Sequence, residues 1–95
     1  MSNWKYKLDI KRHLTDSTEW SGLAAAANAI AKELRKLPES LTDGAYDFID
    51  AVEFLEDVSE SDCEFYANAS DLQGEINYRL STIYDFADAQ RIWLG

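Results

Sequence analysis

From Leu72 onward, apolar side chains return every three or four residues: Leu72, Ile76, Leu80, Ile83, Phe86 and Ala87. A stripe with that period is one face of an amphipathic helix, and such a face has to be buried against other elements. Ser70 and Gln73 read as a capping box, Asp71 and Glu75 suit the positive end of the helix, and Arg91 suits its last turn. Trp93 and Leu94 extend the stripe, so the spacing predicts a helix over residues 70–93.

Two further stripes supply the surfaces it can pack on. Trp20, Leu23, Ala24, Ala27, Ile30, Ala31 and Leu34 predict a helix over 17–37. Asp16 and Glu19 form a capping-box-like start, and Pro38 disfavours helical geometry at Leu37. The alanines between 24 and 31 raise helix propensity and leave a low-relief surface that another helix can approach closely. Leu41, Ala45, Phe48, Ile49, Val52 and Leu55 predict a helix over 41–58, entered through Ser40 or Thr42. Residues 59–69 read as a break followed by a short helix capped by Ser61 and Glu64.

The first fifteen residues are mixed. Trp4, Tyr6, Leu8 and Ile10 alternate with polar residues, which predicts an extended arm over 4–8, but no second strand is evident to pair with it. A short turn of helix from Asp9 to Leu14, with Asp9 as cap, follows. The expected fold is therefore all-α: a single domain, a compact bundle of three principal helices with an N-terminal arm or short helix. A chain of 95 residues can bury one modest core without staples.

Charge is segregated along this framework. Residues 37–78 hold twelve Asp and Glu and no Lys or Arg, a net −12. Residues 1–36 carry seven bases against four acids, a net +3, and residues 79–95 are balanced, which gives the formal −9 of the whole chain. At about 100° per residue, Asp43, Asp47, Asp50 and Asp57 fall together opposite the apolar stripe of the second helix, with Asp43, Asp50 and Asp57 about 10 Å apart along it. Direct contact with nucleic acid or an anionic membrane is not expected, because phosphates call for clustered Lys and Arg. A face of this kind suits a basic protein surface, since it speeds association and fixes orientation. The candidate partner-binding residues are Asp43, Asp47, Asp50, Glu53 and Asp57, continued by Glu60, Asp62 and Glu64.

Catalytic and metal chemistry find little support. The lone Cys63 sits between Asp62 and Glu64, which disfavour a thiolate. His13, between Arg12 and Leu14, has no orienting or co-ligand neighbour in sequence. Asp47/Asp50 and Asp85/Asp88 are spaced i, i+3, yet each pair points away from its own apolar stripe, with no His beside it. The glycines are isolated and form no phosphate-cradling loop. No enzyme, cofactor or metal is expected. No apolar run approaches the roughly 20 residues of a membrane span. The opening Met1-Ser2-Asn3-Trp4-Lys5 lacks the apolar core of a signal peptide, so a cytoplasmic setting is expected.

Two local features stand out. Tyr46-Asp47-Phe48-Ile49-Asp50-Ala51 and Tyr84-Asp85-Phe86-Ala87-Asp88-Ala89 agree at five of six positions, as two helix turns with Phe inward and Asp outward would. Arg79 falls within the last apolar stripe. It is either a guanidinium snorkelling at a helix edge or a partly buried bridge to an acid of the acidic segment.

The ending Leu80-Ser81-Thr82-Ile83-Tyr84-Asp85-Phe86-Ala87-Asp88-Ala89-Gln90-Arg91-Ile92-Trp93 resembles that of small bacterial and prophage proteins, as does the opening from Trp4 to Lys11. The resemblance carries no catalytic motif. In size and charge the chain is also similar to phage-encoded acidic inhibitors of the anti-CRISPR and DNA-mimic kind. The expected function is non-catalytic binding of a basic, nucleic-acid-handling protein through the acidic face, in the manner of such an inhibitor. The alternatives are a structural homo-oligomer, with Trp4, Tyr6, Trp20 or Trp93 in a dimer contact, and a cryptic carboxylate metal protein.

Overall fold

The computed structural model describes residues 3–16, 19–59 and 66–95. Among these, strand β1 (Tyr6–Lys7) is followed by a 3-10 turn at Lys11–His13 and helices α1 (Trp20–Leu34), α2 (Glu39–Thr42), α3 (Tyr46–Asp57) and α4 (Ala69–Gln90). Strand β2 (Ile92–Trp93) closes the series. The expected helical bundle is present, with a two-residue parallel ladder added to it. No helix among the described residues is long and apolar enough to cross a membrane.

α3 lies between α1 and α4 and packs against both; α1 and α4 touch each other more sparingly. Ile10, Leu23, Ile30, Val52, Leu55, Leu72 and Ile83 are each less than 2% exposed and form the centre of the core. The two copies of Tyr-Asp-Phe meet there. The Phe48 and Phe86 rings stack with centroids 4.2 Å apart and planes at 29°. Farther along, Arg79 lies over the Phe54 ring. Residue numbers that rise on α3 while they fall on α4 mark an antiparallel pair.

Helix boundaries depart from the expected ones for local reasons. α1 begins at Trp20, not 17, because Glu19 is extended (ψ 142°) and its carbonyl accepts the first helical bond from Leu23 N–H. Asp16 is therefore not the cap. At the other end, the N–H groups of Lys36 and Leu37 bond three residues back, so the chain tightens into turns before Pro38 instead of staying α-helical to Leu37. The expected single helix over 41–58 is broken in two. Asp43 is extended and Gly44 takes φ +82°, a conformation open to glycine at no steric cost, so α3 restarts at Tyr46. α4 is capped not by Ser70 but by Asn68, whose side chain accepts the Asp71 N–H at 3.0 Å.

α4 ends at Gln90, short of the expected 93. Arg91 turns into the left-handed region (φ 58°, ψ 47°), and its N–H returns to the carbonyls of Ala87 and Asp88. Ile92 and Trp93 then run parallel to Tyr6 and Lys7, with Lys5 N–H donating to Arg91 O and Leu8 N–H to Trp93 O, each at 2.8 Å. This ladder is the strand partner that the N-terminal alternation lacked in sequence. The turn after it begins at Lys11, with buried Ile10 and not Asp9 at the capping position, and no side chain caps it.

Candidate functional site

α3 buries Phe48, Ala51, Val52 and Leu55. At about 100° per residue, Tyr46, Asp50, Glu53 and Asp57 occupy the opposite side within an arc of roughly 60°. All four are exposed. Asp43, on the turn between α2 and α3, is exposed as well. None of Asp43, Asp47, Asp50, Glu53 and Asp57 has an ion-pair partner among the described residues.

The stripe is narrower than the sequence spacing implied. Asp47 is rotated towards α4, where it lines a shallow depression with Tyr46, Thr82, Asp85 and Phe86. Gly44 takes Asp43 off the α3 axis, so the even ladder of Asp43, Asp50 and Asp57 does not form. What forms is Asp50, Glu53 and Asp57, rising by about 4.5 and 6 Å along the axis. Glu60, Asp62, Glu64 and Cys63 lie outside the described residues.

Two acids that face other elements, Glu56 and Glu33, are paired. Glu56, on the α1 side of α3, accepts two hydrogen bonds from Arg35, Nε and Nη2 each at 2.7 Å. The Arg35 hydrogen bonds, with its charge, hold the Glu56 carboxyl below its ordinary value of 4.5. Glu33, 7% exposed, pairs with Lys36 and takes Arg12 at 3.4 Å. The Lys36 hydrogen bond and the nearby cations likewise lower its pKa. Arg12 thereby ties the 3-10 turn to α1, and its Nε also donates to His13 Nε2 at 3.2 Å.

A carboxyl whose folded pKa is depressed adds stability above its unfolded pKa, and that contribution is lost as pH falls through the folded value. Both members of the Arg35–Glu56 pair are substantially exposed, so the pair is worth under about 1 kcal/mol. Glu56→Gln should therefore be slightly less stable than the parent at neutral pH. The gap should close as pH falls below 4.5, which melting curves across that range would read. A gap that widens in acid would show that the pair does not stabilise the fold.

Asn28 of α1 is a residue the sequence reading missed. Its Nδ2 group reaches the carbonyls of Leu55, Glu56 and Val58 at 2.9, 3.2 and 3.1 Å, so its two hydrogens serve three acceptors at the end of α3. That end carries Glu56 and Asp57 and no base, which opposes the helix dipole. The missing base in the last turn was the available signal that a donor had to come from elsewhere. Asn28→Ala should cost about 1 kcal/mol, seen as a lower urea midpoint at unchanged slope. An unchanged midpoint would remove Asn28 from this role.

Arg79 resolves into both a local and a cross-helix contact. Its Nε lies 3.2 Å from Glu75 one turn earlier on α4, and its guanidinium sits 4.9 Å from the Phe54 ring centre. The acid it meets belongs to the acidic segment, but it is the ring contact that reaches α3. Among the described residues, no three His, Cys, Asp or Glu side chains converge on a point that could hold a metal. Comparison of the chain with protein-family models, with curated proteins and with solved structures finds no match.

Proposed function

We propose that the chain is a non-catalytic binding module whose outward α3 face engages a basic, nucleic-acid-handling protein in the cytoplasm. The supporting observation is the division of the acids. Glu33 and Glu56, turned towards other elements, have cationic partners, whereas Asp43, Asp50, Glu53 and Asp57 face outward without one among the described residues. Like charges held in one stripe repel each other, and a cationic surface docked on them removes that cost. The rises of about 4.5 and 6 Å between Asp50, Glu53 and Asp57 suit a Lys/Arg-rich groove that otherwise positions phosphates. Occupying such a groove makes the chain an inhibitor of its partner's nucleic-acid binding.

Capture from a lysate by the immobilised chain, at low and high salt and beside a form with these acids reversed to Lys, tests the proposal. A partner held by the parent, released by salt and ignored by the reversed form supports it. A partner held equally by both forms overturns it.

A second reading is homo-oligomerisation at the ladder. Trp4, Tyr6 and Trp93 are 39%, 37% and 39% exposed at the clasp of the two termini, and Trp4 and Trp93 line one depression. Trp20 is instead half-buried, with its ring centre 6.4 Å from that of Tyr66. Sedimentation at several concentrations separates this reading from the first.

A further inference from the structure

Because α1 and α4 both pack on α3, a furrow is left between them on the side away from α3. It encloses about 420 Å³, and none of the residues that line it comes from α3. Its apolar floor is Leu23 and Ile30 from α1 with Ile76, Leu80 and Tyr84 from α4, and half-exposed Leu14 stands at its mouth. Gln73, Asn77, Ser81 and Asp85, four residues apart, form its α4 wall. That wall is about 18 Å long, the length of roughly three helical turns.

Charge decides what fits. α1 carries no charged residue from Trp20 to Ala31, and its rim at Ala26 is small, so a backbone can come close. No Lys or Arg lines the furrow. At its α4 C-terminal end stand Asp85 and, in the adjoining depression, Asp88, both exposed and neither in an ion pair among the described residues. Lys11 borders that depression too, beyond the furrow. Among the described residues, Asp85 is the one charged residue in the furrow's lining. A second copy would double the net −9 of the chain, whereas a basic helix would lower it and meet Asp85 and Asp88.

The geometry points to this furrow as a docking groove for a basic amphipathic helix of a partner protein, which would complete a four-helix arrangement. Its apolar side chains at i, i+3, i+4 and i+7 fill the floor, amides and hydroxyls of the α4 wall meet its polar edge, and a Lys or Arg turn pairs with Asp85 and Asp88. None of Asp50, Glu53 and Asp57 lines the groove, so it goes beyond the proposal for that face and stands or falls separately.

The test titrates isotope-labelled protein with a synthetic helical Leu/Lys peptide of about five turns, and with a Leu/Glu peptide of the same apolar stripe. The Leu/Lys peptide should saturate with amide shifts at Ala26, Asn77, Ser81 and Asp85, and the Leu/Glu peptide should bind at least about tenfold more weakly. Ala26→Phe and Asn77→Trp block the furrow from its two walls. Each should weaken the Leu/Lys peptide by at least about tenfold while helix content is kept. The paired change Asp85→Asn and Asp88→Asn should weaken it more at low salt than at high salt. Three outcomes overturn the inference: shifts confined to Asp50, Glu53 and Asp57; equal binding of the two peptides; or no binding. So does parent protein that sediments as a dimer while Ala26→Phe is monomeric, since the occupant is then a second copy.

Discussion

Phe48→Ala is expected to lower stability by about 3–5 kcal/mol. Phe48 is 4% exposed, lies between α3 and α4, and stacks on Phe86 at 4.2 Å. Alanine removes the ring's burial, leaves a void beside Phe86, and abolishes the stack. Domains of this size hold about 5–15 kcal/mol in all, so the variant should melt at least about 12 °C lower. Phe48→Leu keeps most of the volume and should lose only the ring contact. A double-mutant cycle of Phe48→Leu with Phe86→Leu should return a coupling of about 0.5–1.5 kcal/mol. Thermal melts of Phe48→Ala and of the four proteins of the cycle check both statements. A loss under 1 kcal/mol for Phe48→Ala would mean that the two Tyr-Asp-Phe turns do not form a contact that matters to the fold.

That contact shows what the sequence carried and what it did not. The repeat was visible, and so was the inward direction of each Phe, because helical periodicity assigns faces. That the two Phe face each other depends on the crossing of α3 and α4, which no local spacing encodes. The same division runs through the boundaries. The break at Gly44 had a local signal in Asp43-Gly44, a turn dipeptide that the continuous apolar spacing overrode in the reading. The end of α4 had none. Arg91 is an uncommon residue for φ +58°, and the chain turns there because Ile92 and Trp93 pair with Tyr6 and Lys7 from the far end of the sequence. The candidate face shows it too. Composition located the acids, but only the packing of α3 shows that Glu56 is tied to Arg35, that Asp47 leans towards α4, and that Asp50, Glu53 and Asp57 are left facing outward.

Reversing those outward acids is the second change of large expected effect, on binding and not on folding. With Asp43, Asp50, Glu53 and Asp57 all replaced by Lys, capture of a basic partner should be lost. The expected cost to the fold is small, since all four side chains are exposed and none is in an ion pair among the described residues. Lys at position 57 even favours the C-terminal end of α3, by about 0.3–1 kcal/mol. The change leaves a net charge near zero, which promotes association by itself. The neutral set Asp→Asn and Glu→Gln at the same positions is therefore the second arm. It keeps a clear negative charge, and it should weaken capture mainly by slowing association, with an effect that fades as salt rises. Circular dichroism should show parent-like helix content in both variants. If the reversed form keeps the partner while folded, the stripe only solubilises the chain. If instead both variants lose the partner and the groove-blocking Ala26→Phe form keeps it, binding resides on α3 and the furrow has a separate occupant.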